Sequence, residues 1–135
     1  MEPEENNLTT RKETAMRPHE KLGVWERAIE FVVTVYRMTD MFPKEERFGL
    51  TSQIRRAAVS VPANIAEGAG RRSDKEFSYF LSNAQGSASE LATELLIAKK
   101  LGYLSDVDYD GGLKELDNIG RMIFGLSRSI GRHKE

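Results

Sequence analysis

Apolar residues recur at intervals of three and four in four separate blocks of the chain, which is the period of amphipathic helices. In the first block Trp25, Ala28, Val32, Val35, Thr39 and Phe42 form one stripe, with Ile29, Val33 and Tyr36 as a second apolar line beside it. The spacing predicts a helix from about Leu22 to Phe42, ended by Pro43, because proline disfavours the α conformation in the residue before it. The β-branched run Phe31-Val32-Val33-Thr34-Val35 also fits a strand, but the helical pattern on both sides of it favours the helix. The second block, Leu50, Ile54, Ala57, Val61 and Ile65, predicts a helix from about Phe48 to Glu67. Pro62 lies inside it, removes one backbone hydrogen bond and predicts a bend; Gly68 and Gly70 supply the stop.

The third block is the longest. Phe77, Leu81, Ala84, Ala88, Leu91, Leu95 and Ala98 predict a helix from about Asp74 to Leu101, about 42 Å long at 1.5 Å per residue. Ser73 and Glu76 have the spacing of a capping box at its start, and Gly102 suits a left-handed cap at its end, with Tyr103 and Leu104 free to pack back. The fourth block, Gly112, Leu116, Ile119, Ile123, Leu126 and Ile130, predicts a helix from about Asp106 to Ile130. Ser105 is its expected N-cap, and Asp106 and Asp108 complement the helix dipole in the first turn. Short loops between long amphipathic helices make antiparallel neighbours, so the expected fold is all-α: an up-and-down antiparallel four-helix bundle. It spans residues 21–131, after a polar N-terminal extension, 1–20, expected to be disordered, and before a short tail, 132–135.

Two features of the pattern point beyond one subunit. Apolar residues cover more than half the circumference of the first helix, whereas a bundle core needs only about three positions in seven. The third helix carries the small and polar run Ser82-Asn83-Ala84-Gln85-Gly86-Ser87-Ala88-Ser89, which allows another helix to approach closely. Both features serve either the intramolecular core or a subunit interface.

Composition narrows the chemistry. The 135 residues fit one domain, with 39% hydrophobic and 30% charged residues, enough to bury a core and keep a polar surface. The absence of cysteine removes disulfides, thiolate metal ligands and thiol nucleophiles together. No run approaches the roughly 18 apolar residues of a membrane span, and the N-terminus lacks the apolar core of a secretory signal. A cytoplasmic setting is therefore expected, with no membrane contact. His19 and His133 have no carboxylate or histidine partner at helical spacing, and the Glu-x-x-His pattern of di-iron bundles does not occur. Neither a G-x-S-x-G elbow nor a P-loop is present. Gly68-Ala69-Gly70-Arg71-Arg72 lies before a helix N-terminus, where it can hold one phosphate or serve as a plain helix–helix turn with a basic rim. No catalytic residue, metal site or cofactor is expected.

Charge changes the picture more by its distribution than by its sum. The formal net charge is −1, yet residues 47–75 hold six cations, Arg47, Arg55, Arg56, Arg71, Arg72 and Lys75, against Glu67 and Asp74. That surplus of four leaves the remainder of the chain at −5. Arg55, Arg56, Arg71 and Arg72, with Lys75 secondary, are the candidate nucleic-acid contacts, since guanidinium groups grip phosphate bidentately. The competing reading makes the arginines ion pairs within or between subunits. Arg56 and Glu67 on the second helix and Glu90 and Glu94, one turn apart on the third, are the candidate members.

The segment Gly49-Leu50-Thr51-Ser52-Gln53-Ile54-Arg55-Arg56-Ala57-Ala58-Val59-Ser60-Val61-Pro62-Ala63-Asn64-Ile65-Ala66-Glu67-Gly68 resembles the signature of the bacterial 23S rRNA intervening-sequence proteins. Val24-Trp25, Phe42-Pro43-Lys44-Glu45-Glu46, Gly86-Ser87-Ala88-Ser89-Glu90-Leu91 and Leu101-Gly102-Tyr103-Leu104 are similar to that family as well, so the resemblance covers roughly residues 20–130. It implies a four-helix bundle assembled as a homopentameric ring in a bacterial cytoplasm, without enzymatic activity. Some members are encoded within insertions of large-subunit ribosomal RNA genes. A related branch, the accessory proteins of diversity-generating retroelements, forms a basic pentameric barrel that binds RNA and a reverse transcriptase. The partners so implied are other copies of the chain, RNA or DNA, and a reverse transcriptase or another nucleic-acid enzyme. The slightly acidic net charge departs from that basic branch, and the acidic residues of the N-terminal extension compete with phosphate for the arginines.

Overall fold

The computed structural model describes residues 18–132. Four helices make up the fold: α1 (Gly23–Thr39), α2 (Leu50–Ala69), α3 (Asp74–Lys100) and α4 (Asp106–Arg132). Two short 3-10 turns, Pro18–Lys21 and Lys44–Glu46, precede α1 and α2, and no strand occurs among the described residues. The stretch Phe31–Val35 is helical. Most of the expected N-terminal extension and the last three residues of the tail, His133 among them, lie outside the described residues.

Each helix packs on its neighbours in sequence, and α1 closes the ring against α4, while the diagonal helices stay apart. This is the up-and-down bundle that the short connections require. The α2–α3 pairing is the most extensive and the α1–α4 edge the least. The largest fully buried side chains, Val35, Ile54, Ile65, Leu81, Leu91, Leu95, Ile119 and Ile123, come from all four helices and form one core. Removing one such Leu or Ile side chain from water contributes roughly 1.5–3 kcal/mol.

The stripes of α2, α3 and α4 face inward nearly as the spacing predicts, with Leu50, Phe77 and Leu126 half-buried at their margins. In α1 the buried line is Val24, Ala28, Phe31, Val35 and Thr39. Trp25 and Val32, expected on the inner stripe, pack at its flank. A helix apolar on more than half its surface does not itself choose which line faces in. Here Gly112 of α4 makes that choice: a Cβ built on it would stand 3.9 Å from Phe31 Cζ and 3.3 Å from Met38 Cε.

The boundaries follow local chemistry. α1 stops at Thr39, three residues earlier than expected, and Phe42 turns back to donate its amide to the Thr39 carbonyl at 3.1 Å. Phe42 remains buried beside Tyr103, with ring centroids 5.6 Å apart. The start of α2 is capped from a distance: Glu46 Oε1 accepts from the Leu50 amide at 3.1 Å, and Glu46 Oε2 accepts from the Tyr103 hydroxyl at 3.0 Å. One carboxylate thereby ties the α1–α2 connection to the α3–α4 connection. At α3, Ser73 Oγ accepts from the Glu76 amide at 3.1 Å, and the Glu76 carboxylate accepts from the same hydroxyl at 3.2 Å rather than reaching the backbone. Gly102, the one positive-φ residue described, ends α3 in a Schellman motif. Its amide bonds the Lys99 carbonyl at 3.0 Å, and the Tyr103 amide bonds Ala98 at 2.9 Å. Ser105 caps α4 by accepting from the Asp108 amide at 3.1 Å.

Gly68 is not the stop that its place after the second stripe suggests. It lies inside α2, buried, and the helix continues through Ala69. A Cβ at this position would lie 2.8 Å from Phe80 Cβ and 3.0 Å from Phe77 Cδ1. The glycine therefore exists to let α3 approach. Gly68→Ala is expected to lower stability by about 1–2 kcal/mol, the overpacking cost exceeding the gain in helix propensity. Urea denaturation of the two proteins side by side measures it; an alanine variant as stable as the parent would show that α3 yields freely.

Candidate functional site

The cations that the sequence gathers between residues 47 and 75 separate in space into two groups. Arg47, Arg55 and Arg56 stand at the start of α2; Arg71, Arg72 and Lys75 stand around the α2–α3 turn. From Arg55 the helix runs on for fourteen residues to Ala69, about 21 Å of rise, before the turn that carries Arg71.

At the first end an open groove of about 580 Å³ runs between α1 and α2, lined by Tyr36, Arg47, Phe48, Thr51, Ser52, Arg55, Arg56, Val59 and Ser60. Its rim is partly apolar: Phe48 is 90% exposed, and Tyr36 and Val59 stand out to solvent beside it. Val33 and Ile29, one and two turns back along α1 from Tyr36, extend the same exposed apolar band. Exposed aromatic surface next to guanidinium groups suits either a second protein surface or unstacked bases.

Arg55 is committed to the fold. Its Nε donates to Thr39 Oγ1 at 2.8 Å, and its terminal nitrogen donates to the Tyr36 carbonyl at 3.2 Å and to Asp40 Oδ1 at 3.0 Å. The guanidinium also lies 4.4 Å from the centroid of the Tyr36 ring. The buried Thr39 hydroxyl passes its own proton to the Val35 carbonyl at 2.8 Å. One cation thus satisfies the free carbonyl end of α1, where the helix dipole favours positive charge, and fixes α2 against it. Arg56, next in sequence and turned by 100°, is exposed and lies in no ion pair among the described residues.

At the second end Arg71 pairs with Glu67 one turn back on α2 and lies 4.8 Å over the Phe80 ring. Arg72 and Lys75 are exposed and make no ion pair among the described residues. Glu67 is therefore the partner of Arg71, not of Arg56. At the glycine turn Arg71 is thus engaged with Glu67 and Phe80, while Arg72 and Lys75 are exposed.

Between the two ends the α2–α3 seam is polar along one side. Ser60 and Ser87 share a hydrogen bond of 2.8 Å across it, and Asn64 donates to the Ser60 carbonyl at 2.9 Å and hydroxyl at 3.0 Å. Further toward the α3 C-terminus sits Glu94, only 6% exposed, with Oε1 making no hydrogen bond. Burial pushes its carboxyl up to about 7; the neighbouring charge of Glu90 adds to the rise, and Arg56 opposes it. Sequence reasoning placed Glu94 with Glu90 and Arg56 from spacing alone, but an intervening solvent-exposed position would have looked the same. It missed the Arg27–Glu115 pair, bidentate at 2.8 and 2.9 Å, which clasps the weakest edge of the bundle, α1 against α4. Arg27 hydrogen bonding holds the Glu115 carboxyl below the ordinary carboxylate range. Only the helical phase of both partners, unknown before folding, could have revealed it. Among the described residues no group of three or more metal-ligating side chains occurs, and no helix is long and apolar enough to cross a membrane.

These contacts separate the two adjacent arginines by experiment. Arg55→Ala removes a hydrogen-bonded cation from the α1–α2 junction and is expected to cost about 2 kcal/mol. Arg56→Ala, exposed and unpaired, is expected to stay within about 0.5 kcal/mol of the parent. Thermal unfolding of both variants below the Glu94 transition near 7 gives the comparison, and equal losses would contradict the assignment. The sign for Glu94 follows from linkage. Its folded pKa lies above the unfolded value, so its stabilising contribution is complete below about 4.5 and lost as pH rises through about 7. The loss is roughly 3 kcal/mol at most. Glu94→Gln is expected to flatten the stability profile between pH 5 and 8; chemical denaturation across that range would refute this if parent and variant ran parallel.

Comparison with known proteins bears on the whole bundle. A solved structure from Bacteroides thetaiotaomicron, described as a protein of unknown function from the S23 ribosomal protein family, superposes with a TM-score of 0.70. The two chains share 22% identity, over 77% of this chain and 97% of that one, a likeness that establishes the fold. Among curated proteins none matches the chain. The family model described as 23S rRNA-intervening sequence protein matches residues 20–125, which takes in the groove, both arginine groups and the polar seam. The chain belongs to the 23S rRNA-intervening sequence protein family.

Proposed function

We propose that this protein is a non-catalytic, cytoplasmic scaffold that assembles with copies of itself, as a homopentamer, and contacts nucleic acid or a nucleic-acid-processing partner through cations carried by α2 and the turn after it. The observation that carries the assembly is the uncovered apolar band of Ile29, Val33, Tyr36, Phe48 and Val59 along α1 and the start of α2. Monomers seldom leave so continuous a patch exposed. The exposed small-residue face of α3, with Ser82, Gly86 and Ser89 turned outward, offers a surface that can be approached closely. A different patch on each partner makes the contact heterologous, and heterologous contacts form a ring when the rotation between subunits closes. In a ring each cation is repeated once per subunit, so a modest local surplus becomes an extended basic surface. A bacterial family named for sequences intervening in 23S rRNA makes RNA the first partner to test.

The roles of the candidate residues differ under this reading. Arg56, Arg72 and Lys75 are free to meet phosphate, whereas Arg71 must exchange Glu67 for it, and Arg55 acts as a fold-holding residue. The committed hydrogen bonds of Arg55 and the Arg71–Glu67 pair favour, for those two residues, the second reading of an assembly whose arginines serve structure alone.

Light scattering after size exclusion, with the parent and Phe48→Asp, tests the assembly: a multiple of the 15.2 kDa chain mass is expected for the parent and a smaller particle for the variant. A parent at monomer mass would end the proposal. Polarisation titrations with structured RNA, single-stranded RNA and duplex DNA then test binding. Affinity is expected to fall steeply with salt, and Arg72→Gln with Lys75→Gln to flatten that slope. Assembly without salt-sensitive binding to any of the three would leave the purely structural reading.

A further inference from the structure

Glu94 is the one buried carboxyl group described, and nothing in the preceding function uses it. Its residue is 94% removed from solvent, and Oε1 is buried with no donor. Two charged groups act on it: Glu90, one turn back on α3, and Arg56, across the seam on α2. On the opposite side of α3 the contact with α4 is apolar at this level, where Leu95 meets Gly112. No charged residue of α4 is among the groups that shift Glu94. The neutral donors further along the seam, Ser60, Asn64 and Ser87, are engaged with one another.

We propose that Glu94, Glu90 and Arg56 form a protonation-dependent latch across the α2–α3 seam: neutral Glu94 leaves Arg56 on the groove, and ionised Glu94 draws it into an ion pair. The physical reason is the asymmetry between the two states of a buried carboxyl. A neutral carboxylic acid tolerates one unbonded oxygen at moderate cost, and its proton can be shared with the Glu90 carboxylate. An ionised one needs a donor or a counter-charge, because low-dielectric surroundings penalise an isolated anion severely. Arg56 is the available cation. It is exposed, unpaired, lines the α1–α2 groove and carries its charge on a long flexible stem. When Glu94 releases its proton to water, the guanidinium gains a carboxylate partner by swinging from the groove to the seam. The groove then presents one cation fewer, while Arg55 stays in place because Thr39, Tyr36 and Asp40 hold it. The pH of the surroundings thus sets how positive the groove is, without any movement of the helices.

Carbon-detected NMR of the intact protein tests the latch within the folded chain, independently of assembly or nucleic-acid binding. The Glu94 δ-carboxyl carbon is expected to titrate with a midpoint near 7, and the Arg56 Nε resonance to shift with the same midpoint. In Glu94→Gln, which keeps the shape, the Arg56 resonance should no longer titrate. In Arg56→Gln the Glu94 midpoint should move upward, since the charge that favours its ionised form is gone. A Glu94 midpoint near the ordinary 4.5, or an Arg56 resonance that ignores the Glu94 transition, would overturn the proposal.

Discussion

The close approach of α2 to α3 is the constraint on which the other helix positions depend. It is the most extensive pairing of the bundle, and Gly68, with no side chain, lets Phe77 and Phe80 of α3 lie directly on α2, while small buried residues, Ala57 on α2 and Ala84 on α3, line the two helices. Short side chains bring backbones together, so the larger residues that flank them, Ile54, Ile65, Leu81 and Leu91, meet in a single layered interior. Pro62 is buried within α2 on the line of Arg55, the face turned toward α1; its missing amide costs one helix hydrogen bond while its ring adds buried apolar surface. The α1–α4 edge has no comparable packing. There a bidentate ion pair, Arg27 with Glu115, and the pocketing of Met38 and Phe31 over Gly112 close the ring.

Around this core polar groups take one of two roles. Some complete the fold by occupying backbone groups that helix ends leave unbonded. Arg55 does so for the carbonyls of α1, Glu46 for the first amide of α2, and Ser73 and Ser105 for α3 and α4. Others remain uncommitted: Arg56, Arg72 and Lys75 project into solvent, and Phe48, Tyr36 and Val59 leave an apolar rim beside them. Function in a bundle without a cleft of reactive groups must come from such uncommitted surface. Adjacent residues of identical type can belong to opposite classes, as Arg55 and Arg56 do, because one residue of helix rotates the side chain by 100°.

Glu94 belongs to neither class. It is buried like a core residue and ionisable like a surface one, and a stable bundle gains nothing from a carboxyl group that ionises without a donor. Its proximity to Arg56 connects the interior to the groove.

The helical period, the capping serines, the left-handed Gly102 and the count of elements were all legible in the sequence, because each is decided within one or two turns of chain. Membership of the arginines in candidate sites was legible only by residue type. By itself the sequence determined four amphipathic helices, their order and their antiparallel connection. Tertiary structure alone decided which of α1's apolar lines faces inward, that Gly68 serves packing rather than termination, and that the basic run divides into two groups toward opposite ends of α2. It also decided that Arg55 is bound while Arg56 is free. The reason is one of range: local hydrogen bonds and torsional preferences act along the chain, whereas rotation about a helix axis is fixed only by the shape of the helix placed against it.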